Sequence, residues 1–250
     1  MKSAPVQETD LYFDNGTFDS ASFAAAALAG WPSLAAVIDH TLLKPGATRQ
    51  QAELFCAEAV RYGFACVVVN PVWTALAVSA LAGTGIATGA VIGSPAGGSL
   101  VSTLRHEAVS LMRLGVRELD MVLPIGQLKS RNHAAVERAI HAVAHLAHHH
   151  GALLKVTLET SLLTMEEKLR AAELAIHAGA DFIKPSTGSA AGGATPADVA
   201  LLRGVAGARC GIKASGGIRT LAQLRALLEA GASRIGCSAS VAILRELGAE

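Results

Sequence analysis

The chain has 250 residues, 51% of them hydrophobic but only 4% aromatic, and a formal net charge of +1. That length carries one large domain or two small ones, with an aliphatic, alanine-rich core that needs no disulfides. The near-neutral charge gives no electrostatic case for nucleic acid or for an acidic membrane surface.

Four cysteines, Cys56, Cys66, Cys210 and Cys237, lie in apolar stretches without C-x-x-C spacing. They read as reduced, buried, small hydrophobes. The apolar stretch from Phe23 to Gly30 is too short to span a bilayer. Lys2 stands alone before Glu8, Asp10, Asp14 and Asp19, so a secretory leader is not expected either. The expected location is the cytoplasm.

Residues 1 to about 20 are polar and without period, and 1–30 is expected to be a loose, partly helical extension. An alanine-rich helix is predicted over Ser22–Ala29, lying over the domain's end. The ordered domain is expected over 31–250. Its first strand is placed at Ala35–Asp39, followed by a helix from the Thr48 cap to Tyr62 with Gly63 as its stop. From there strands and helices alternate. Strands are predicted at Ala65–Val69, Ile86–Ile92, Glu118–Leu123, Ala152–Glu159, around Phe182–Lys184, at Gly211–Ser215 and at Arg234–Cys237. Helices fill the gaps, including a long one over Lys129–His150 and one opened by a Thr164/Glu167 capping box. Eight strand-then-helix units with continuous apolar strands fit a parallel sheet closed as an α/β (β/α)8 TIM barrel, in about 210 residues. A doubly wound open sheet is the alternative, but no Gly-x-Gly-x-x-Gly follows the first strand.

In such a barrel the chemistry sits where the strands end. The polar candidates there are Asp39, Asn70, Asp120, Lys155, Glu159, Lys184, Lys213, Ser215 and Ser238. Side-chain alternation puts Asp120 with Glu118 and Val122 on one face, and Lys213 with Gly211 and Ser215 on one face. Lys184 ends an apolar strand, and Lys213 repeats that design in the next. Two ammonium groups in one pocket repel, and burial favours the neutral amine, which is a nucleophile. Asp120 supplies a carboxylate to hold the second lysine charged and to relay protons. The set suits carbonyl chemistry through an iminium and an enamine. A single lysine at a strand end is more often a snorkelling surface residue or half of an ion pair; the pair with Asp120 shifts the balance.

Gly216, Gly217 and Ser238 occupy the usual phosphate position of this fold, with Gly188, Gly192 and Gly193 extending the same cradle. The competing reading is that they only turn the chain and cap a helix. Six histidines crowd the helix before residue 151. They read as a solvated face, with adventitious metal binding as the minority option, and no metal or cofactor site is expected.

The strand-end motifs are Ile38-Asp39-His40-Thr41-Leu42-Leu43-Lys44-Pro45, Val69-Asn70-Pro71, Glu118-Leu119-Asp120-Met121-Val122, Lys155-Val156-Thr157-Leu158-Glu159-Thr160, Gly179 to Lys184, Lys213 to Thr220 and Gly231 to Gly236. As a set, over roughly residues 34 to 247, they resemble the deoxyribose-phosphate aldolase family. The resemblance implies a metal-independent class I aldolase that cleaves 2-deoxyribose 5-phosphate to glyceraldehyde 3-phosphate and acetaldehyde. It implies Lys184 as the Schiff-base lysine, Lys213 as the lysine that tunes it, and Asp120 in proton relay with Lys213 and a water. Asp39 and Thr41 would border the substrate, and Gly188, Gly216, Gly217 and Ser238 would sit near the phosphate. Its implied partners are small aldehydes and sugar phosphates and further copies of itself, as a dimer or higher oligomer.

Three departures stand out. Pro185 replaces the threonine usual after the Schiff-base lysine, Ser189 replaces a long side chain, and Ser94 replaces the phenylalanine of a Val-Ile-Gly-Phe-Pro pattern. They predict a wider mouth and a shifted acceptor range. Two other readings remain: another lysine-dependent barrel aldolase, such as a transaldolase-like enzyme, and a sugar-phosphate-binding barrel that no longer catalyses.

Overall fold

A computed structural model describes residues 13–14, 17–190 and 192–250. Of the extension expected over 1–30, residues 1–12 and 15–16 lie outside the described residues, as does Ala191.

Eight parallel strands close into a barrel. They are β1 (Ile38–Leu42), β2 (Cys66–Val69), β3 (Ala87–Ile92), β4 (Glu118–Val122), β5 (Leu153–Thr157), β6 (Phe182–Lys184), β7 (Gly211–Ser215) and β8 (Arg234–Cys237). The barrel closes by pairing Ile235 with Ile38 and Gly236 with Asp39. Each strand is followed by a helix of the outer ring: α1 (Arg49–Tyr62), α2 (Thr74–Ala80), α3 (Val101–Leu114), α4 (His133–His149), α5 (Met165–His177), α6 (Pro196–Ala206), α7 (Leu221–Glu229) and α8 (Ser240–Glu246). Reciprocal capping boxes start α1, α5 and α7, each satisfying two backbone N–H groups that the helix itself leaves free. Among the described residues no helix is long and apolar enough to cross a membrane.

The main core lies between strands and helices. Ile38, Leu119, Met121, Leu154, Val156, Ile183, Ile212 and Ile235 point outward into it. With the apolar side chains facing the helices, the alternate positions face the barrel axis. There the apolar filling includes a small cluster of Cys66, Val68 and Val91, and Phe182 beneath Arg234. Most of the remaining interior is charged.

Two sequence expectations are corrected. The first strand begins at Ile38, not Ala35, because Pro32 sits in the first turn of a helix over Trp31–Ala35 and fits that position without costing a hydrogen bond. Asp39 therefore enters near the start of β1, deep in the barrel and away from its rim. The long helix predicted over Lys129–His150 is two: Ile125–Lys129, then α4 after a break at Arg131, whose φ is 58°. The N-terminal helix runs over Ser20–Ala27, capped by Asp19, and packs against α7 and the Trp31–Ala35 helix. Phe18 beside it lies under the buried Arg203 guanidinium, 4.2 Å from ring centroid to Cζ.

Candidate active site

Strand register brings the charged side chains together. Asp120 on β4 is level with Lys155 on β5, Lys213 on β7 is level with Arg234 on β8, and Asp39 on β1 is level with Gly236. A side chain at Gly236 would place its Cβ 2.9 Å from Lys213 Cε, so glycine there leaves room for the lysine.

The Lys184 amine lies 2.9 Å from Asp120 Oδ2, and the Lys213 amine lies 2.7 Å from the same oxygen. Lys213 also reaches Asp39 Oδ2 at 2.6 Å. Lys155 bridges the other side, at 3.0 Å from Asp39 Oδ2 and 3.2 Å from Asp120 Oδ1, and contacts Glu118 as well. Arg234 completes the layer at 2.8 Å from Asp39 Oδ1 and 3.5 Å from Glu118. Lys155 is wholly enclosed, and Lys213 and Lys184 are 1% and 4% exposed.

Four cationic side chains thus meet three carboxylates, Asp39, Glu118 and Asp120, all buried except Arg234, which is half-buried. One positive charge is in excess. Releasing the proton of Lys184 balances the cluster, and it is the one of the four whose ion pairing is confined to a single carboxylate. Burial pulls the Lys184 amine below the ordinary lysine range, and Lys213 and Lys155 push the same way against Asp120. Burial acts in the same direction on Lys155, but there Asp120, Asp39 and Glu118 outweigh it and hold that ammonium well above the ordinary range. Burial would raise Asp120, yet Lys155, Lys184 and Lys213 drive it well below the usual carboxylate range. Asp39 is lowered likewise, with burial opposed by Lys155, Lys213 and Arg234.

The two depressed carboxylates lend stability that is present above their unfolded values near ~3.9 and is lost as pH falls towards their folded ones. The melting temperature is therefore expected to fall on acidification below about pH 4, with a shallower slope in Asp39→Asn. A wild-type slope matched by the variant would remove Asp39 from this account.

Lys184 stands where two cavities meet. One, of about 610 Å³, is lined by Thr41, Lys44, Gly188, Lys213, Ser215, Gly216, Gly217, Arg219 and Ser238, among others. The other, of about 470 Å³, is lined by Asn70, Val72, Ser94, Glu107, Asp120, Thr157 and Ser189. Ser189 and Thr187 border both. Of the residues singled out in the sequence, Lys184, Lys213, Thr41, Ser215, Gly188, Gly216, Gly217 and Ser238 line the first cavity, and Asp120 and Asn70 the second. Asp39 lines neither: it is fully buried beneath the floor, both carboxylate oxygens taken by cations. Its expected place at the substrate is corrected by the later start of β1.

The floor loop is tightly held. Leu158 and Thr160 N–H groups donate to the Lys184 and Pro185 carbonyls at 2.8 Å, so the β6 end stays anchored although proline lacks an N–H. Glu159 has φ 56°, an uncommon conformation for a residue with a side chain. Its buried carboxylate accepts from the Thr187 N–H at 3.1 Å and the Thr187 hydroxyl at 2.6 Å. Glu159→Ala is expected to lose about 3 kcal/mol or more, readable in urea unfolding, since two bonds to a carboxylate are lost and each is worth about 1.5–3 kcal/mol. Gly188 and Gly216 pack backbone to backbone. A Cβ at Gly216, where φ is 93°, would lie 2.9 Å from the Gly188 Cα.

Sequence reasoning missed four groups. Arg234 and Glu118 tie the floor together, and Lys44 and Arg219 bring cationic side chains to the larger cavity. Their residue types carried the signal, but their inward or cavity-facing placement needed the register. The histidines of α4 are largely exposed; His148 meets Asp181 at 3.0 Å, and His177 of α5 meets Glu137 at 2.9 Å. Among the described residues, the group with metal-ligand spacing is Asp39, Cys66 and Glu118. Lys155 and Arg234 already occupy its carboxylates.

A sequence profile of the DeoC/LacD family aldolases matches residues 10–246. The chain belongs to this aldolase family. Curated relatives named deoxyribose-phosphate aldolase include one from Geobacillus sp. (strain WCH70), 48% identical over 212 residues, 85% of this chain and 95% of the relative. Another, from Halalkalibacterium halodurans, is 49% identical over 213 residues, again 85% and 95% of the two chains. Among solved structures, the tetrameric deoxyribose phosphate aldolase from Aeropyrum pernix superposes with a TM-score of 0.84 at 34% identity, covering 91% of this chain and 96% of that one. In this aldolase Lys184 and the paired cavities beside it lie at the C-terminal ends of the strands, where barrel enzymes carry their chemistry, and the rest of the charged floor lies deeper in the barrel.

Proposed function

We propose that the protein is a class I aldolase that cleaves 2-deoxyribose 5-phosphate, and forms it from glyceraldehyde 3-phosphate and acetaldehyde, through a Schiff base on Lys184. The observation that carries this reading is the Lys184 amine, enclosed, pulled towards its neutral form, and open to two cavities at once. The neutral amine attacks the substrate aldehyde, and loss of water gives an iminium. Removal of the C3 hydroxyl proton breaks the C2–C3 bond, releasing glyceraldehyde 3-phosphate and leaving an enamine. Protonation of the enamine at carbon and hydrolysis then return acetaldehyde and the free amine. Asp120, 2.9 Å from Lys184 and 2.7 Å from Lys213, is the group in this reading that passes protons between the lysines and a water. Lys213, paired with Asp39 and Asp120, opposes protonation of Lys184.

The substrate chain runs from Lys184 into the larger cavity. There Gly188, Gly216 and Gly217, with Ser238, Lys44 and Arg219, take the phosphate, and Thr41 borders the sugar. Phosphorylated deoxyribose is accordingly the preferred substrate. Arg219→Ala is expected to raise KM for it about tenfold, a loss of about 1.4 kcal/mol, with little effect on unphosphorylated deoxyribose; equal effects on both would move the phosphate elsewhere. The enzyme acts in the cytoplasm as a homo-oligomer, in keeping with the tetrameric relative.

Acetaldehyde plus borohydride should leave an ethyl adduct on Lys184, located by peptide mass; labelling that persists in Lys184→Leu would place the nucleophile at another residue. Asp120→Asn is expected to lower kcat about 10²–10⁴-fold. Because Asp120 supports the charged form of Lys184, its loss also moves the acid limb of the kcat/KM profile to lower pH. A limb that moves up, or stays, would contradict that pairing.

A further inference from the structure

The second cavity has no place in the reaction as drawn. With the phosphate in the basic cavity, the sugar carbons lie between it and Lys184. The 470 Å³ cavity, which meets the first along Lys184, Thr187 and Ser189, then borders the Schiff-base carbon from a second side, where acetaldehyde offers only a hydrogen. A further cavity of about 440 Å³ continues outward from it, and the two share Pro71, Ser94 and Glu107. Ser94, at their shared border, adds little bulk between them.

The chemistry of this side differs from that of the phosphate side. Among the described residues, and apart from Lys184, no lysine or arginine lines either cavity, while Asp120 and Glu107 do, with His106 on the outer one. Asp120 is matched by Lys155, Lys184 and Lys213. Glu107 is half-buried and accepts one hydrogen bond, from the Gly93 N–H at 3.3 Å. Serine and threonine hydroxyls at Ser99, Thr103 and Ser110 extend the outer wall.

We propose that this acidic side is a donor subsite: it admits carbonyl donors larger than acetaldehyde and favours a positively charged substituent over a neutral one of the same shape. The proposal rests on the aldolase reading. A methyl ketone R–CO–CH₃ condenses with the Lys184 amine, releasing water and forming an iminium. The methyl group loses a proton to give the enamine, with R in the acidic cavity and the nucleophilic carbon facing the phosphate side. Attack on the acceptor aldehyde and hydrolysis restore the amine, so no further reactant is needed. A charge held within several ångströms of a half-buried carboxylate gains about 1–2 kcal/mol at an effective dielectric of about 20–40, which is roughly 5- to 30-fold.

The test uses a pair that differs in charge alone, trimethylammonioacetone and 4,4-dimethylpentan-2-one, with borohydride trapping on the intact protein and acetaldehyde as reference. Trapping of the cationic ketone at Lys184 is expected to exceed that of the neutral one at least fivefold. Glu107→Gln, which can still accept from Gly93, should bring the ratio close to one. Ser94→Phe should reduce both ketone adducts relative to acetaldehyde. An acetaldehyde adduct with neither ketone trapped, a wild-type ratio of one, or a preference that survives Glu107→Gln would each overturn the subsite alone. No acetaldehyde adduct at Lys184 would overturn the aldolase reading and the subsite with it.

Discussion

Lys184→Met is expected to lower kcat by about 10⁴–10⁶-fold, as loss of a covalent nucleophile does in enzymes whose groups act as a unit. Methionine fills the same space without an amine, so neither iminium nor enamine forms. The fold should survive. The four-against-three charge excess disappears with Lys184, and Asp120 keeps both Lys155 and Lys213 within 3.2 Å. Wild-type melting with abolished turnover and no borohydride adduct is therefore the expected combination. Turnover that falls only as far as the melting temperature does would mean that Lys184 is structural. Residual activity with a rising pH optimum would instead point to Lys213, the other amine facing the cavity, as a substitute nucleophile.

The barrel was legible because its strands are apolar runs cut by glycine and by capping residues, and those signals are local. Alternation along β4 and β7 also placed Asp120 and Lys213 inside. What the sequence hid was depth. Asp39 lay only a few residues from its predicted level, but the Trp31–Ala35 helix moved the start of β1 and sent Asp39 from the rim to the buried floor. Lys155 looks like Lys184 in one dimension: a lysine in an apolar strand. Only the register of β4 with β5 shows it level with Asp120 and enclosed by carboxylates, where its proton is held firmly. Arg234 opens its strand as a surface residue would, yet it turns inward to Asp39. Of the two cavities, the first was legible only as a set of cradle residues and the second hardly at all. They are made by loops from distant strands, and the smallness of Ser94 acquires meaning only because it falls on the side of Lys184 away from the phosphate cradle. The same residue that suggested an altered acceptor from sequence alone sits, in three dimensions, beside the donor.

Lys155→Met carries the second large effect, and it separates the floor's structural role from its electrostatic one. Lys155 touches Asp39, Glu118 and Asp120 and is wholly buried. Removing it leaves carboxylates short of a counter-charge in a site water does not reach, a change that typically costs about 3–5 kcal/mol. For a chain of this length that is a fall in melting temperature of about 10 °C. Adding Glu118→Gln removes one of the stranded charges, so the double variant is expected to recover about 1–3 kcal/mol of the loss. The kinetic consequence has a definite sign. Lys155 helps keep Lys184 deprotonated, and it also competes for Asp120. Without it both influences favour the charged amine, so the acid limb of the kcat/KM profile moves to higher pH, opposite to the shift expected for Asp120→Asn. A Lys155→Met protein that melts early but keeps the wild-type pH profile would make the lysine a purely structural counter-ion; opposite shifts in the two variants would mean that one buried charge network sets both the stability of the floor and the reactivity of Lys184.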